Sequence, residues 1–171
     1  MALSKNISMD ELLNTLPQAG EITWIGLRSV RKAPLDVVSE AQISKEEGLI
    51  GDHFAAKKST KRQVTLIQAE HIDSVASMLH RDSLDPGLLR RNIVVKGINL
   101  LALKDKQFQI GEAVLEMTGL CHPCSRMEEN LGAGGYNAMR GHGGITAKVI
   151  SGGEIKLGDK LQMIPSSEVV S

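Results

Sequence analysis

A chain of 171 residues with 42% hydrophobic and 23% charged residues is long enough to bury one core and has the composition of an ordinary globular domain. Twenty basic residues balance twenty acidic ones and the aromatics are one Trp, one Tyr and two Phe, which excludes the excess cation and stacking platforms of a general nucleic-acid binder. No apolar run approaches the roughly 18 residues that span a bilayer, and Met1 to Asp10 lacks the pattern of a secretory signal. A cytoplasmic protein with no membrane partner is therefore expected.

In chain order, Ser8-Met9-Asp10-Glu11 matches a capping box, and Leu12, Leu13 and Leu16 add an apolar stripe, predicting a short helix that ends near Pro17 to Gly20. Ile22 to Val30, Val37 to Ile43 and Val64 to Ile67 are rich in branched apolar residues between Gly, Pro, Asp or Lys clusters and read as strands. The clearest helix is Gln68 to Leu79, where Ile72, Val75, Ala76 and Leu79 fall at helical spacing, with His71 and His80 off that stripe. Strands resume at Asn92 to Val95, Gln107 to Ile110 and Ala113 to Thr118. Ile145 to Ile150 and Lys160 to Ile164 flank turns at Ser151-Gly152-Gly153 and Leu157-Gly158-Asp159.

Many short strands with few helices, and no regular strand-helix alternation, argue against a doubly wound parallel sheet. The expected class is mainly β (α+β): a compact, mixed or antiparallel, barrel-like domain with a few short helices. An N-terminal helical extension over 1–20, one domain over 21–165 and a frayed tail over 166–171 follow.

Both cysteines lie in Cys121-His122-Pro123-Cys124. A CxxC in a reducing compartment suggests redox, catalytic or metal chemistry before a structural disulfide. Ser125 and Glu128 repeat the S-x-x-E pattern, so a short helix should start after Cys124 and stop at Gly132. That places Cys124 at a helix N-terminus, where exposed amides and Arg126 favour a thiolate. Pro123 stiffens the turn and holds His122 extended. A thioredoxin-like dithiol needs a long following helix, and a structural zinc needs further spaced ligands that His53, His71, His80, His122 and His142 do not supply. Cys121, at a strand end, reads more simply as a small buried hydrophobe.

Two other segments combine glycine or strand geometry with cations. Arg90-Arg91-Asn92 at a strand mouth offers a planar grip on phosphate, with a solvated, charge-paired strand entry as the plainer reading. Gly132-Ala133-Gly134-Gly135-Tyr136 and Arg140-Gly141-His142-Gly143-Gly144 allow close backbone approach to a ligand, or simply a tight loop. Neither a phosphate-loop nor a dinucleotide pattern is present. Gly48-Leu49-Ile50-Gly51-Asp52-His53 is a turn carrying an acid and a base, a structural arrangement more often than a catalytic one.

Taken in order, Gly48-Leu49-Ile50-Gly51-Asp52, Arg62-Gln63-Val64-Thr65-Leu66-Ile67, Arg91-Asn92-Ile93-Val94-Val95, Pro123-Cys124-Ser125-Arg126-Met127 and Arg140-Gly141-His142-Gly143-Gly144-Ile145, with Gly152-Gly153 and Gly158-Asp159, resemble the MOSC family, named for molybdenum cofactor sulfurase C-termini. The resemblance spans positions 20 to 165 and implies a β-rich barrel with Cys124 as the functional thiol. It implies one of two roles for that thiol: ligand to molybdenum of a molybdopterin cofactor in the reduction of N-hydroxylated small substrates, or persulfide carrier to a metal centre. In the first role Arg90, Arg91 and Asn92, with Ser125 and Arg126, would hold the cofactor, and Arg140 and His142 would border the substrate opening. Without a desulfurase domain or a Schiff-base lysine motif, pyridoxal phosphate is not expected in this chain. Sulfur or electrons would come from a separate cysteine desulfurase or electron-transfer protein. Cys121 is an added thiol that would make the pair a persulfide-and-resolving couple, and a plain thiol-disulfide or non-catalytic binding module is the competing class.

Overall fold

The computed structural model describes residues 6–30, 33–52 and 61–171, so His53 lies outside the described residues. The first helix, α1 (Met9–Asn14), carries the expected capping box: the Glu11 amide donates to Ser8 Oγ at 3.1 Å and the Ser8 amide to Glu11 Oε2 at 3.3 Å. Its apolar stripe is not buried. Leu12 and Leu13 are 52% and 60% exposed, and Leu16, beyond the helix end, is the residue of the three that packs on the core.

Seven strands close into a barrel in the order β1 (Gly20–Leu27), β11 (Lys160–Met163), β7 (Gln107–Ile110), β8 (Ala113–Leu120), β9 (Ile145–Ser151), β5 (Val64–Gln68) and β6 (Ile93–Lys96), which returns to β1. Closure removes the unpaired edges of the sheet. Every neighbour is antiparallel except β5 and β6. A parallel pair needs a crossover, and α2 (Ala69–Met78) with a 3-10 turn at Pro86–Leu89 supplies it. The expected strand over 37–43 divides at Ser39 into β2 (Asp36–Val38), which extends the barrel sheet beside β1, and β3 (Glu40–Ser44). β3 lies between β10 (Gly153–Lys156) and the two-residue β4 (Gly48–Leu49) in a separate small sheet, so Gly153 opens a strand where only a turn was expected.

Alternation along β5 and β6 sorts side chains into two cores. Leu66, Ile93 and Val95 fill the barrel with Phe108, Leu115 and Leu161, whereas Ile67 and Val94 belong to an outer cluster with α2, α3 (Ser125–Leu131) and α4 (Gly135–Met139). The outer cluster fixes the helices on one flank of the barrel through Ile72, Val75, Met127, Leu131 and Met139. The tail forms a 3-10 turn at Ser166–Glu168, and the buried Gln107 side chain tethers Val170 by two hydrogen bonds of 2.7 and 2.8 Å.

Two local expectations are corrected. Ser125 is not an N-cap: Cys124, extended at φ −127° and ψ 176°, holds that position and Ser125 is the first helical residue. Glu128, one position past a box partner, instead accepts from the amides of Gly134 and Tyr136 at 3.2 and 3.1 Å. Its carboxylate thereby satisfies the free amides at the start of α4, a helix formed where the glycine run reads as loop.

Candidate functional site

β8 and β9 are paired to their ends, Leu120 opposite Ile145, and the pairing carries into the next residue, where the Cys121 amide donates to Gly144 O at 2.9 Å. His122 and Pro123 then turn the chain into α3. Cys124 is exposed and Cys121 half-buried, and both are free thiols.

Arg91 is the floor beneath this turn. It is buried, and its Nε donates to Gly143 O at 2.7 Å, Nη1 to Leu89 O at 2.9 Å and Nη2 to Cys121 O at 3.4 Å. One guanidinium thus joins the β6 entry, the cysteine turn and the glycine segment. Burial pushes its pKa down, and its closeness to Cys121 and Cys124 works in the opposite direction, which places both thiols within electrostatic reach of the same cation. The segment at 143–144 must be glycine to come this close: a Cβ on Gly143 would stand 2.0 Å from Cys121 O, and one on Gly144 2.0 Å from Leu66 O.

A second group of polar side chains forms beside Cys124. The turn after β4 brings in Asp52, whose side chain is 1% exposed; its Oδ1 accepts from the Arg28 amide at 2.7 Å and from Asn92 Nδ2 at 3.2 Å, with Arg28 Nε 4.0 Å away. Asn92 is buried and also gives Nδ2 to Gly26 O at 3.2 Å, while its Oδ1 accepts from Thr65 Oγ1 and the Thr65 amide. Arg90 caps the 3-10 turn in the left-handed region at φ 58°, an uncommon conformation for a long side chain. Its Nη1 reaches Ala33 O at 3.2 Å, but its Nε and Nη2, like Arg28 Nε, are buried without a hydrogen-bond partner among the described residues. Desolvation first, then Arg28 and Arg126, lowers the Arg90 pKa, against a smaller opposing effect of Asp52 and Cys124. Arg28, Arg126, the Asp52 carboxylate and the exposed Cys124 thiol therefore all lie within electrostatic reach of Arg90.

On another side of the turn, Cys121, His122 and Pro123 wall a pocket of about 130 Å³ together with Gln68, His71, Leu100, Leu120 and Ile145. Cys124 and the arginines do not line it. At its margin His71 and His142 meet edge to face, ring centroids 5.1 Å apart, and His142 Nδ1 lies 3.2 Å from Ala138 O. Burial, then His142, lowers the His71 pKa below its ordinary value, with Glu70 opposing. A lowered folded pKa means that the unfolded chain takes up the proton more readily, so this contribution to stability is complete above about pH 6.5 and is lost as pH falls below it. Melting temperature is expected to fall between pH 7 and 5.5, and His71→Gln to flatten that slope; parallel wild-type and variant curves would contradict it.

Cys124 lies within electrostatic reach of Arg90 and Arg91, and Arg126 within reach of Arg90; Asn92 is joined to this group through Asp52, and His142 sits against His71. Ser125 is exposed on the first turn of α3, and Arg140, at the end of α4, is exposed; its amide donates to Asn137 O at 3.3 Å, and its side chain has no hydrogen bond or ion pair among the described residues. Sequence reasoning did not select Arg28, which carries no local pattern, or Gln68; Asp52 was visible only as a turn acid. Among the described residues no cluster of three or more His, Cys, Asp or Glu side chains is arranged to hold a metal ion, and no helix is long and apolar enough to cross a membrane.

The family model described as MOSC domain matches residues 49–162. A search of curated proteins finds no match. Among solved structures, the chain is similar to the YuaD protein of Bacillus subtilis, with a TM-score of 0.73 and 17% identity over 87% of this chain and 98% of that one. YiiM of Escherichia coli superposes with a TM-score of 0.65 and 18% identity, covering 84% of this chain and 69% of that one. YiiM of Geobacillus stearothermophilus gives 0.69 and 15%, covering 85% and 75%. At these identities the likeness is one of fold.

Proposed function

The chain belongs to the MOSC domain family, which is associated with molybdenum cofactor binding and sulfur transfer, and from that premise we propose that Cys124 ligates the molybdenum of a pterin cofactor in an enzyme that reduces N-hydroxylated small molecules. The observation that carries this reading is that Arg90 Nε and Nη2, and Arg28 Nε in its 4.0 Å ion pair with Asp52, are buried without a hydrogen-bond partner among the described residues, with Arg90 within electrostatic reach of Cys124. A buried polar group left without a partner costs on the order of 1–3 kcal/mol. An anionic phosphate set among these guanidinium groups would satisfy them with charge-assisted hydrogen bonds.

The residues then divide by role. Arg90 and Arg28 hold the phosphate, and Arg126 adds positive potential. Asp52 positions Arg28, whose backbone amide it accepts from and whose Nε lies 4.0 Å away, and Asn92 steadies Asp52 by donating to it. Arg91 is a positioning residue, since its Nε, Nη1 and Nη2 all donate to backbone carbonyls. Cys124, exposed on a stiffened turn, presents a soft sulfur donor of the kind molybdenum accepts. When bound, the cofactor supplies two-electron redox chemistry at the metal; electrons come from a separate protein.

Protein made in a cofactor-producing host is expected to retain pterin, read by fluorescence after release. Arg90→Ala should retain it about tenfold more weakly, the worth of one charge-assisted hydrogen bond. Unchanged retention in Arg90→Ala and Arg28→Ala would overturn the cradle. The sulfur-carrier reading draws on the two thiols that share Arg91. It predicts that incubation with a cysteine desulfurase and cysteine leaves one extra sulfur on Cys124 by mass spectrometry; an adduct confined to Cys121 would reverse the assignment.

A further inference from the structure

We infer that the pocket walled by Cys121 is a binding site in its own right for a small, neutral ring compound carrying one polar edge. Its volume of about 130 Å³ is close to the roughly 150 Å³ of a protein cavity that accepts benzene. Leu100, Leu101, Leu120 and Ile145 supply apolar wall, and among the described residues no Asp, Glu, Lys or Arg lines the space. Arg91 lies behind the wall with its donors given to the carbonyls of Gly143, Leu89 and Cys121, so an anionic ligand would lose its hydration there without a direct ionic partner.

The polar contacts are few and directional. Gln68 Oε1 already accepts from the Leu100 amide at 3.1 Å, which fixes the carboxamide and leaves its amino group as the donor to offer. His71, whose pKa is lowered first by burial and then by His142, lines the pocket with its imidazole, which in the neutral form offers one donor and one acceptor. A ring bearing a carboxamide matches this pairing of apolar wall, the Gln68 donor and the His71 imidazole, with His122 also on the wall. Leu101 and Leu120, 42% and 45% exposed, leave a rim through which such a molecule enters.

The site is separate from the arginine cradle, so it does not depend on what Cys124 carries. Protein that binds the ring compound but no molybdenum keeps this pocket and loses the reading of Cys124, and the reverse result does the opposite. The test is a titration of full-length, metal-free protein with benzamide and, separately, benzoate, followed by two-dimensional amide spectra. Benzamide is expected to shift the Gln68, Leu101, Cys121 and Gly143 amides saturably with a dissociation constant on the order of 1 mM, and benzoate to bind at least about tenfold more weakly for want of a cationic partner. Leu120→Trp and Leu101→Trp, both at exposed positions, should fill the mouth and weaken benzamide about tenfold with the folded spectrum retained. Absence of saturable shifts, shifts centred on Arg90 and Arg126, equal binding of benzoate, or wild-type binding by both folded tryptophan variants would overturn the proposal.

Discussion

Arg91→Met is expected to cost about 3 kcal/mol of stability, which for a chain of this size lowers the melting temperature by roughly 6–12 °C. Methionine keeps much of the volume but leaves the carbonyls of Gly143, Leu89 and Cys121 without the donors that now reach them, inside a region too buried for water to replace each one. The loss should be local before it is global. Amide exchange is expected to quicken first at 119–124 and 141–144, the two segments the guanidinium joins. Arg91→Lys keeps the charge but cannot span three carbonyls with one ammonium, and should fall between the two. A melting temperature within about 2 °C of wild type for Arg91→Met would show that the guanidinium is not the clasp of the site.

Gly144→Ala should be nearly as costly, for a different reason. The residue sits at φ 85°, where a side chain is strained, and its Cβ would stand 2.0 Å from Leu66 O and 3.0 Å from Ile67 Cα. Both neighbours are backbone of β5 in the barrel wall, so they cannot rotate away. Left-handed strain of about 1 kcal/mol or more adds to the displacement of a core strand, for a total of about 3 kcal/mol. Gly141→Ala is the control, since it has a comparable φ of 80° but open space around its Cβ. Melting curves should separate the two variants by several degrees; equal, small losses would mean that the close approach of the loop to β5 is dispensable.

The barrel strands were legible because their side chains alternate or run as branched apolar segments between glycine-bearing turns, as at 107–110, 113–120 and 145–151. The fold-defining pairings were not, because the parallel junction of β5 with β6 and the closure of β1 on β11 arise from long-range contact. α4 was hidden by its glycines, and it forms because Glu128, from the preceding helix, accepts from its first amides. The same carboxylate misled the reading of Ser125, since an S-x-x-E spacing cannot tell a residue that caps from one that begins the helix.

For the candidate site, Cys124 and the Arg90-Arg91-Asn92 run were visible from residue type and position. The division of labour within that run was not. Consecutive arginines look alike in sequence, yet Arg90, left-handed at φ 58°, has two donors without a hydrogen-bond partner among the described residues, while Arg91 turns inward to three carbonyls. Arg28 and Asp52 lie 24 residues apart, and Asp52 is joined to Asn92 across 40, so nothing local announces the cluster. The two cysteines, three residues apart, face different surroundings: Cys121 borders an apolar pocket with His71, and Cys124 stands by the arginines.

That asymmetry gives the most direct test of the central claim, the molybdenum-to-protein ratio of wild type, Cys124→Ser and Cys121→Ser purified from a cofactor-producing host. The account predicts molybdenum in wild type and in Cys121→Ser, and background metal in Cys124→Ser, with all three proteins folded. Equal molybdenum in the three proteins, or its loss from Cys121→Ser with retention in Cys124→Ser, would contradict it.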